Sequence, residues 1–271
     1  KDLSHNVIEG YNLLKLDALI GIGGDGSQDI LRRLAQQGGL NLVAIPKTID
    51  DDLSHTEHSI GFMTAVHVAT EALDRLQPTA ASHDRVMILE VMGRDAGHIA
   101  LVTGIAGGAD IILIPEIPYQ IEIVAHKIKS LREGGRNFAL VVVSEAIGME
   151  TGEKARITDI EGKSRYGGIS QHLANRLTEL TGAETRFTVL GHVQRGGQPI
   201  PQDRILASAF GIHAVDLIAQ GKFDRMVAWQ NRQVVDVPIQ LAIAGYQAVD
   251  IDGSLVKTAK GLGICFGNEK F

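Results

Sequence analysis

Residues 20–34 read IGIGGDGSQDILRRL, an apolar run followed by a glycine turn and then by apolar residues at helical spacing. This pattern predicts a strand, a turn and a helix in immediate succession. Short apolar runs alternate with amphipathic stretches in the same way along the rest of the chain. Repeated strand–helix units predict an α/β fold with doubly wound, mainly parallel sheets.

The predicted strands and helices cover most of the chain. Runs such as FALVVVS (138–144) are apolar without alternation, which is typical of strands covered by helices on both faces. The predicted strands are residues 17–23, 41–45, 85–92, 110–115, 138–144 and 185–193. The predicted helices are residues 28–37, 61–77, 97–106, 121–133, 168–181 and 201–219, preceded by a helical segment VIEGYNLLK at 7–15.

Composition excludes several classes of protein. The 271 residues are 44% hydrophobic with a net charge of −6, which is typical of a soluble protein and argues against a nucleic-acid partner. The single cysteine, Cys265, excludes an intrachain disulfide and favours a reducing compartment. No apolar run reaches the roughly 18 residues of a membrane helix. Because Lys1 is not a start methionine, we expect at least one upstream element of a longer protein to be missing.

Five polar segments follow predicted strands, at the sheet edge where ligands of α/β proteins bind. These segments are GGDGS (23–27), PKTIDDD (46–52), EVMGRDAGH (90–98), SEAIG (144–148) and LGHVQRGG (190–197). The long polar stretch 146–165 is expected to be an excursion between a strand and a helix.

The first two segments have the chemistry expected of phosphoryl transfer. In GGDGS, glycines let the backbone approach an anion, and a helix that starts near Ser27 offers free N–H groups. Asp25 in this turn is either a Mg²⁺ ligand or the cap of the helix. In PKTIDDD, a carboxylate can accept the proton of an attacking hydroxyl; the alternative is a solvated acidic loop. Three adjacent carboxylates repel one another unless cations or protons compensate their charge.

Arginines near the predicted strand ends suggest a phosphorylated small molecule, because guanidinium groups bind phosphate in bidentate fashion. The alternative for each of them is a surface ion pair. Glu145 either accepts hydrogen bonds from sugar hydroxyls or pairs with a nearby arginine. The cationic candidates are Arg85, Arg94, Arg186 and Arg195, with His192 beside the last.

Several separated segments, in the same order, resemble the 6-phosphofructokinase family. They are GGDGS, PKTIDDD, EVMGRDAGHIAL (90–101), LGHVQRGG and DRILAS (203–208), and the resemblance extends to about Lys260. It implies an enzyme of two Rossmann-like α/β domains, usually a homotetramer. Such an enzyme phosphorylates fructose 6-phosphate with Mg²⁺ and either ATP or pyrophosphate.

The resemblance also implies roles for single residues. Asp50 is similar to the base that takes the proton of the sugar 1-hydroxyl. Thr48 and Arg94 are similar to residues that contact the transferred phosphoryl group, and Asp25 is similar to the metal ligand. The implied donor site comprises Gly24, Asp25, Gly26, Ser27 and Lys47. The implied sugar-phosphate site comprises Thr48, Ile49, Asp50, Arg85, Met92, Gly93, Arg94, Glu145, Arg186, His192, Val193, Gln194 and Arg195. Of these, Arg85 and Arg186 match arginines that the family lends to a neighbouring subunit.

The chain departs from the family pattern near the base. Asp51 stands where the family usually has asparagine, and we expect the additional carboxylate to increase repulsion around Asp50 or to alter magnesium binding. A lysine at position 47 resembles the sequences of the pyrophosphate-using branch of the family. Gly26 is similar to the ATP-using branch and leaves room for a nucleotide. The steric argument favours ATP.

The family's effector site is matched only in part. Asp110 and Arg136 fit its metal- and phosphate-binding pattern, whereas Gln77 stands where an arginine is usual. Allosteric control by a nucleotide or by phosphoenolpyruvate is therefore an open expectation. The family's opening Gly-rich phosphate loop is also absent from the sequence.

The sequence thus predicts a cytoplasmic, homotetrameric, ATP-dependent 6-phosphofructokinase with no nucleic-acid or membrane partner. One alternative is the pyrophosphate-dependent enzyme, and another is a catalytically silent sugar-phosphate sensor or regulatory subunit. Residues 1–120 are expected to form the remainder of the donor domain, to which the C-terminal segment returns, and residues 121–271 mainly the sugar-phosphate domain. These boundaries are approximate and discontinuous.

Overall fold

The computed structural model of the chain describes residues 3–149, 154–158 and 164–269. The helices are α1 (Ser4–Leu13), α2 (Asp25–Gly38), α3 (Phe62–Ser82), α4 (His98–Ala106), α5 (Ile121–Glu133), α6 (Ile169–Thr181), α7 (Pro201–Ala219), α8 (Ile239–Ala242) and α9 (Ser254–Gly261). The strands are β1 (Leu19–Gly23), β2 (Leu42–Thr48), β3 (Ile60–Gly61), β4 (Val86–Val91), β5 (Ile111–Leu113), β6 (Ala139–Ser144), β7 (Arg156–Thr158), β8 (Ser164–Tyr166), β9 (Thr185–Val189), β10 (Arg225–Gln230) and β11 (Gln233–Pro238).

The chain forms two compact units, each assembled from two separate parts of the sequence. Unit 1 comprises Lys1–Met63 and Pro199–Gln247, and unit 2 comprises Thr64–Gln198 and Ala248–Phe271. The units therefore change at residues 63, 198 and 247 rather than at residue 120. The assignment of donor and sugar roles to whole domains stays a prediction.

The sheet of unit 1 is covered by helices on both faces. Its strand order is β1-β2-β10-β11, with the short β3 beside β2, and only β11 runs antiparallel to its neighbour. Leu42 of β2 packs with Leu34 of α2 on one face, whereas Val43 packs with Phe210 of α7 on the other. Because neighbouring residues of one strand are buried on opposite faces, β2 is apolar without alternation.

The sheet of unit 2 is parallel throughout, in the order β5-β6-β4-β9. Helices α5 and α6 bury one face, where Ile111 and Val141 join their core. The opposite face of β5 packs against α4, where the side chain of Ile112 lies on Gly104. Together with the sheet of unit 1, this arrangement confirms the α/β fold with doubly wound, mainly parallel sheets.

The sequence located the six main strands and helices, and the structure corrects their bounds. Helix α2 begins at Asp25 instead of residue 28. The strand predicted for 185–193 ends at Val189 and is followed by a 3₁₀ helix, Gly191–Arg195, because Gly191 adopts a left-handed conformation with φ of +53° that a strand cannot continue. The excursion 146–165 contains the antiparallel pair β7–β8. Strands β3, β10 and β11 and helices α8 and α9 were not predicted.

Within the part of the chain that the structure describes, no helix combines the length and the apolar character needed to cross a membrane.

Candidate active site

The glycine turn and the acidic loop lie side by side in unit 1. Strands β1 and β2 are parallel neighbours with Gly23 opposite Pro46, so the segments that follow them meet at one edge of the sheet. Gly24 lies beside Thr48. Gly24 is the N-cap of α2 in an extended conformation, and Asp25 is the first helical residue. The capping alternative for Asp25 is therefore wrong.

The acidic loop is buried. The exposed fractions of Asp50, Asp51 and Asp52 are 6%, 7% and 4%. This burial excludes the alternative of a solvated acidic loop. Burial of a carboxylate costs free energy unless hydrogen-bond donors contact it, so the contacts of each aspartate help to stabilise the loop.

Thr48 and Asp50 are joined by two hydrogen bonds. The Thr48 hydroxyl donates to Asp50 Oδ2 over 3.2 Å and accepts the Asp50 N–H over 3.2 Å. These two contacts fix the orientation of the Asp50 carboxylate relative to the end of β2. Lys47, the neighbour before Thr48, is exposed at the end of β2.

The turn after β4 places the second group of candidates in unit 2. Gly93 has φ of +157°, and a Cβ there would lie 2.6 Å from the Ala96 carbonyl oxygen, so this turn requires glycine. Arg94 follows in the left-handed region with φ of +54° and is exposed. Such a conformation persists in a non-glycine residue only where neighbouring contacts maintain it.

Two side chains from distant parts of unit 2 supply those contacts. Glu145 Oε1 accepts the N–H groups of Gly93 and Arg94 over 3.3 and 3.1 Å. Gln194 Oε1 accepts the Met92 N–H over 2.9 Å. Glu145 thus has a role in holding the turn that neither sequence alternative included.

The 3₁₀ helix after β9 divides its residues between the interior and the surface. His192, Val193 and Arg195 are exposed. Gln194 is only 1% exposed, and its amide also donates to the Ala65 carbonyl over 3.4 Å. The sequence expected all four to contact the sugar phosphate. For Gln194 the structure shows contacts with the backbone instead.

Arg85 and Arg186 lie at the opposite end of the same sheet. Arg85 precedes β4 and Arg186 is near the start of β9, and both guanidinium groups contact Glu184 Oε1, at 3.0 and 2.6 Å. Arg85 first, and then Arg186, lowers the pKa of Glu184. The six residues of β4, at about 3.3 Å each, separate this end from the Arg94 turn by roughly 20 Å. The structure therefore does not bring these two arginines to the other candidates of the same chain.

Lys154, which precedes β7, and Tyr166 of β8 contact Asp95, the residue next to Arg94. Lys154 Nζ lies 2.9 Å from Asp95 Oδ1, and the Tyr166 hydroxyl donates to the same oxygen over 2.5 Å. The hydrogen bond from Lys154, followed by that from Tyr166, lowers the pKa of Asp95. Nothing in the sequence pattern linked these residues to the site.

The residues that match the family's effector pattern pair with one another in unit 2. Arg136 Nη1 lies 2.9 Å from Asp110 Oδ1, and the guanidinium stacks over the Phe138 ring at 4.3 Å. Burial raises the pKa of Asp110. Gln77 is exposed on α3. Effector binding stays a prediction.

No group of three or more His, Cys, Asp or Glu side chains that could hold a metal ion is found among the described residues. This finding is compatible with a Mg²⁺ site, because Mg²⁺ in phosphoryl-transfer enzymes is held by one or two carboxylates together with substrate phosphates and water. Asp25, the first residue of α2, carries a carboxylate at the end of β1.

Comparison with known proteins agrees with this geometry. The family described as Phosphofructokinase matches residues 1–218. A protein of Synechocystis sp. named ATP-dependent 6-phosphofructokinase 1 is 64% identical over 269 residues, which cover 99% of this chain and 74% of that protein. Its namesake from Nostoc sp. is 63% identical, with 98% and 74% covered.

A solved structure shows the same fold at lower identity. The crystal structure of the pyrophosphate-dependent phosphofructokinase from Nitrosospira multiformis superposes with a TM-score of 0.81 at 22% identity and covers 98% of this chain and 72% of that one. Because the family model matches residues 1–218 and the relatives above are 63–64% identical over nearly the whole chain, this chain belongs to the phosphofructokinase family.

Proposed function

We propose that the chain transfers the terminal phosphoryl group of ATP to the 1-hydroxyl of fructose 6-phosphate, giving fructose 1,6-bisphosphate in glycolysis. The observation that carries this proposal is the identity of 63–64%, over nearly the whole chain, to proteins named ATP-dependent 6-phosphofructokinase. At this identity the buried acidic loop of unit 1 and the Arg94 turn of unit 2 are each interpreted as carrying residues of this activity.

In unit 1, Asp50 acts as the general base that accepts the proton of the 1-hydroxyl. The Thr48 hydroxyl orients the Asp50 carboxylate through its hydrogen bond to Oδ2. Thr48 and Ile49 line the path of the transferred group. The first turn of α2, with Gly24, Gly26 and Ser27, receives the donor phosphates through free backbone N–H groups. Catalysis of this kind rests mainly on positioning and charge neutralisation.

Mg²⁺ is the metal that this donor set fits. Asp25 would hold it, and the bound ion would neutralise charge on the donor phosphates. Of the chain's own groups, the backbone N–H groups of the first turn of α2 orient the donor phosphates. Lys47 lies exposed beside them at the end of β2.

In unit 2, the turn Met92–Arg94 and the exposed face of the 3₁₀ helix bind fructose 6-phosphate. Arg94 stabilises the transferred phosphoryl group, and His192, Val193 and Arg195 contact the sugar phosphate. Glu145 and Gln194 hold the turn in the conformation that this binding needs.

Arg85 and Arg186 serve the 6-phosphate of a neighbouring subunit. Their place at the far end of the sheet supports this assignment, since a hexose phosphate does not span roughly 20 Å. We therefore propose a homo-oligomer, a homotetramer in keeping with the family resemblance. We also propose a cytoplasmic location, consistent with glycolysis and with the buried free thiol of Cys265.

Lys47 supports a second candidate, the pyrophosphate-dependent enzyme. Its ammonium group is exposed at the end of β2 and can meet a phosphate oxygen. Gly26 favours ATP, because the space beside it is open within 4 Å. We weigh the open space more heavily, since a lysine side chain can move aside whereas a clash with a nucleotide persists.

Initial rates of fructose 1,6-bisphosphate formation, measured on the full-length protein with ATP and with pyrophosphate, test the proposal. Turnover with ATP alone is the expected result. Turnover with pyrophosphate alone would overturn the donor and leave the sugar-phosphate site intact. No turnover with either donor would indicate the silent sensor.

A further inference from the structure

The loop that follows the base returns to it through one buried serine. Ser59, only 1% exposed, donates its N–H to Asp51 Oδ1 over 2.7 Å. Its hydroxyl lies 2.8 Å from the Thr48 carbonyl oxygen and 2.9 Å from the same Asp51 oxygen. Ser59 therefore contacts the residues on both sides of the segment that contains Asp50.

These contacts act on a strained backbone. Asp51 has φ of +55°, a left-handed conformation that costs energy in a non-glycine residue and persists where side-chain contacts maintain it. Here the Ser59 N–H donates to Asp51, and the Ser59 hydroxyl can donate its one proton to Asp51 or to the Thr48 carbonyl, so Ser59 provides such contacts. Since Asp51 directly follows Asp50, a change in the Asp51 backbone would move the Asp50 carboxylate.

The second oxygen of Asp51 faces a histidine. His58 Nδ1 lies 3.8 Å from Asp51 Oδ2, a distance for attraction between charges rather than a direct hydrogen bond. Asp51 is the main cause that raises the pKa of His58, burial opposes it, and Glu57 and Asp203 add to the increase. Asp203 also accepts the Gly61 N–H over 3.0 Å, so the charged groups facing His58 belong to the loop itself and to α7.

The middle of the loop is attached to β10. Trp229 N donates to the Thr56 hydroxyl over 3.1 Å, and Glu57 N donates to the Trp229 carbonyl over 2.8 Å. These hydrogen bonds fix the middle of the loop relative to β10. Ser59, which follows in the same loop, connects it to Thr48 and Asp51.

We infer that Ser59 and Asp51, with His58 as the charged partner of Asp51, are positioning residues that place the Asp50 carboxylate for proton abstraction. This inference rests on the proposed function of Asp50. It also gives the additional carboxylate of this chain a role. One oxygen of Asp51 accepts the Ser59 N–H and lies 2.9 Å from the Ser59 hydroxyl, and the other oxygen lies 3.8 Å from His58 Nδ1. An asparagine would keep an acceptor for Ser59 and lose the charge attraction.

The attraction depends on pH in a defined direction. Because the folded protein raises the pKa of His58, the stabilisation is fully present below about 6.5, the usual value for histidine, and is lost as the pH rises through the raised value. Positioning of Asp50 should weaken over the same range, and turnover should fall with it.

The first test compares two substitutions of one serine. Ser59→Ala should lower kcat by about 10²-fold, the scale of a small misplacement of a catalytic group, with KM for fructose 6-phosphate changed less than about threefold. Ser59→Thr keeps the hydroxyl and should restore most of kcat. Ser170→Ala, which removes another buried serine hydroxyl in unit 2, is the matched control and should leave kcat unchanged. Equal kcat in Ser59→Ala and the unmodified protein would overturn the inference.

The second test does not depend on activity. The His58 imidazole is titrated by NMR in the full-length protein and in the Asp51→Asn variant, and the pKa of His58 should be lower in the variant. The same variant should lack the fall in kcat at high pH. An unchanged His58 titration would refute the pairing, even where Ser59→Ala does not fold. An inactive unmodified protein would instead refute the proposed function and leave this titration interpretable.

Discussion

The loop that carries Asp50 and the turn that carries Arg94 both follow a parallel strand and both include a left-handed residue, but they are held differently. The Asp50 loop is buried and is closed by Thr48 and Ser59, which lie within eleven residues of each other. The Arg94 turn is held by Glu145, a residue 51 positions away, and Arg94 itself is exposed.

This difference corresponds to the two proposed tasks. A general base must keep one position, because proton transfer requires a distance of about 3 Å to the reacting hydroxyl. A phosphate-binding arginine gains its energy when the anion arrives, so its backbone must be fixed while its side chain stays free to adjust. Substitution of the base should therefore lower kcat, whereas substitution of an arginine that only binds the sugar phosphate, such as Arg186, should raise KM.

The largest effect is expected at the buried loop. Asp50→Asn should lower kcat by about 10²-fold or more, the usual contribution of a general base, with fructose 6-phosphate binding nearly unchanged. Steady-state rates and calorimetric binding measure the two quantities separately. Asp74→Asn, on the exposed side of α3, is the control. Near-native turnover of Asp50→Asn would remove this carboxylate from the mechanism.

At the far end of the unit 2 sheet the effect should be on binding. Arg186→Ala should raise KM for fructose 6-phosphate much more than it lowers kcat, since a charge-assisted hydrogen bond contributes about 1.5–3 kcal/mol, or roughly 10- to 100-fold. Arg75→Ala, an exposed arginine paired with Glu71, is the control.

Mixing subunits tests whether Arg186 serves a neighbour. Hybrid oligomers of Arg186→Ala and Asp50→Asn should regain activity, because some sites then combine an intact base with an intact arginine. Demonstrated subunit exchange without recovery would contradict a shared site.

A smaller effect should distinguish the donors. A Cβ at Gly26 meets no atom within 4 Å, so Gly26→Asp can fold without a local clash and reports on the donor. It should weaken ATP use by roughly 5- to 100-fold, the range of an overpacked contact of about 1–3 kcal/mol. Lys47→Gly should change ATP use far less. Rates with both donors, repeated in an Asp51→Asn background, decide the order, and a larger loss in Lys47→Gly would reverse it.

The smallest effect, on stability, is expected at the contact of Lys154 and Tyr166 with Asp95, the residue after Arg94. Lys154→Met should lower the free energy of unfolding by about 0.2–1 kcal/mol at neutral pH, the range of partly exposed ion pairs. Because Lys154 and Tyr166 lower the pKa of Asp95, their stabilisation is present above its usual value near 3.8 and is lost as the pH falls through the lowered value. The free energy of unfolding, measured from pH 7 to pH 3, should differ less and less between the unmodified protein and Lys154→Met. A difference that stays constant would mean that packing, rather than charge, is responsible.

The two regions also differ in how far they could be predicted. PKTIDDD identified the Asp50 loop because its motif lies within one short stretch, and EVMGRDAGH likewise placed Arg94 at a strand end. Neither motif predicted which groups hold the backbone. Glu145 was expected to meet a sugar or an arginine, and it accepts two backbone N–H groups. Ser59 and His58 were missed because residues 51–59 form a loop rather than a helix or a named strand, so no regular periodicity predicts which of their side chains meet.

By itself the sequence determined the α/β fold, the family and the position of five polar segments at the carboxyl ends of strands. Apolar periodicity and short motifs encode these features locally. The tertiary structure alone decided that the three aspartates are buried, that Asp51 meets Ser59 and His58, and that Arg85 and Arg186 share Glu184 at the far end of the sheet. Such contacts depend on strand register and on loop closure, where a shift of one residue turns every side chain to the opposite face.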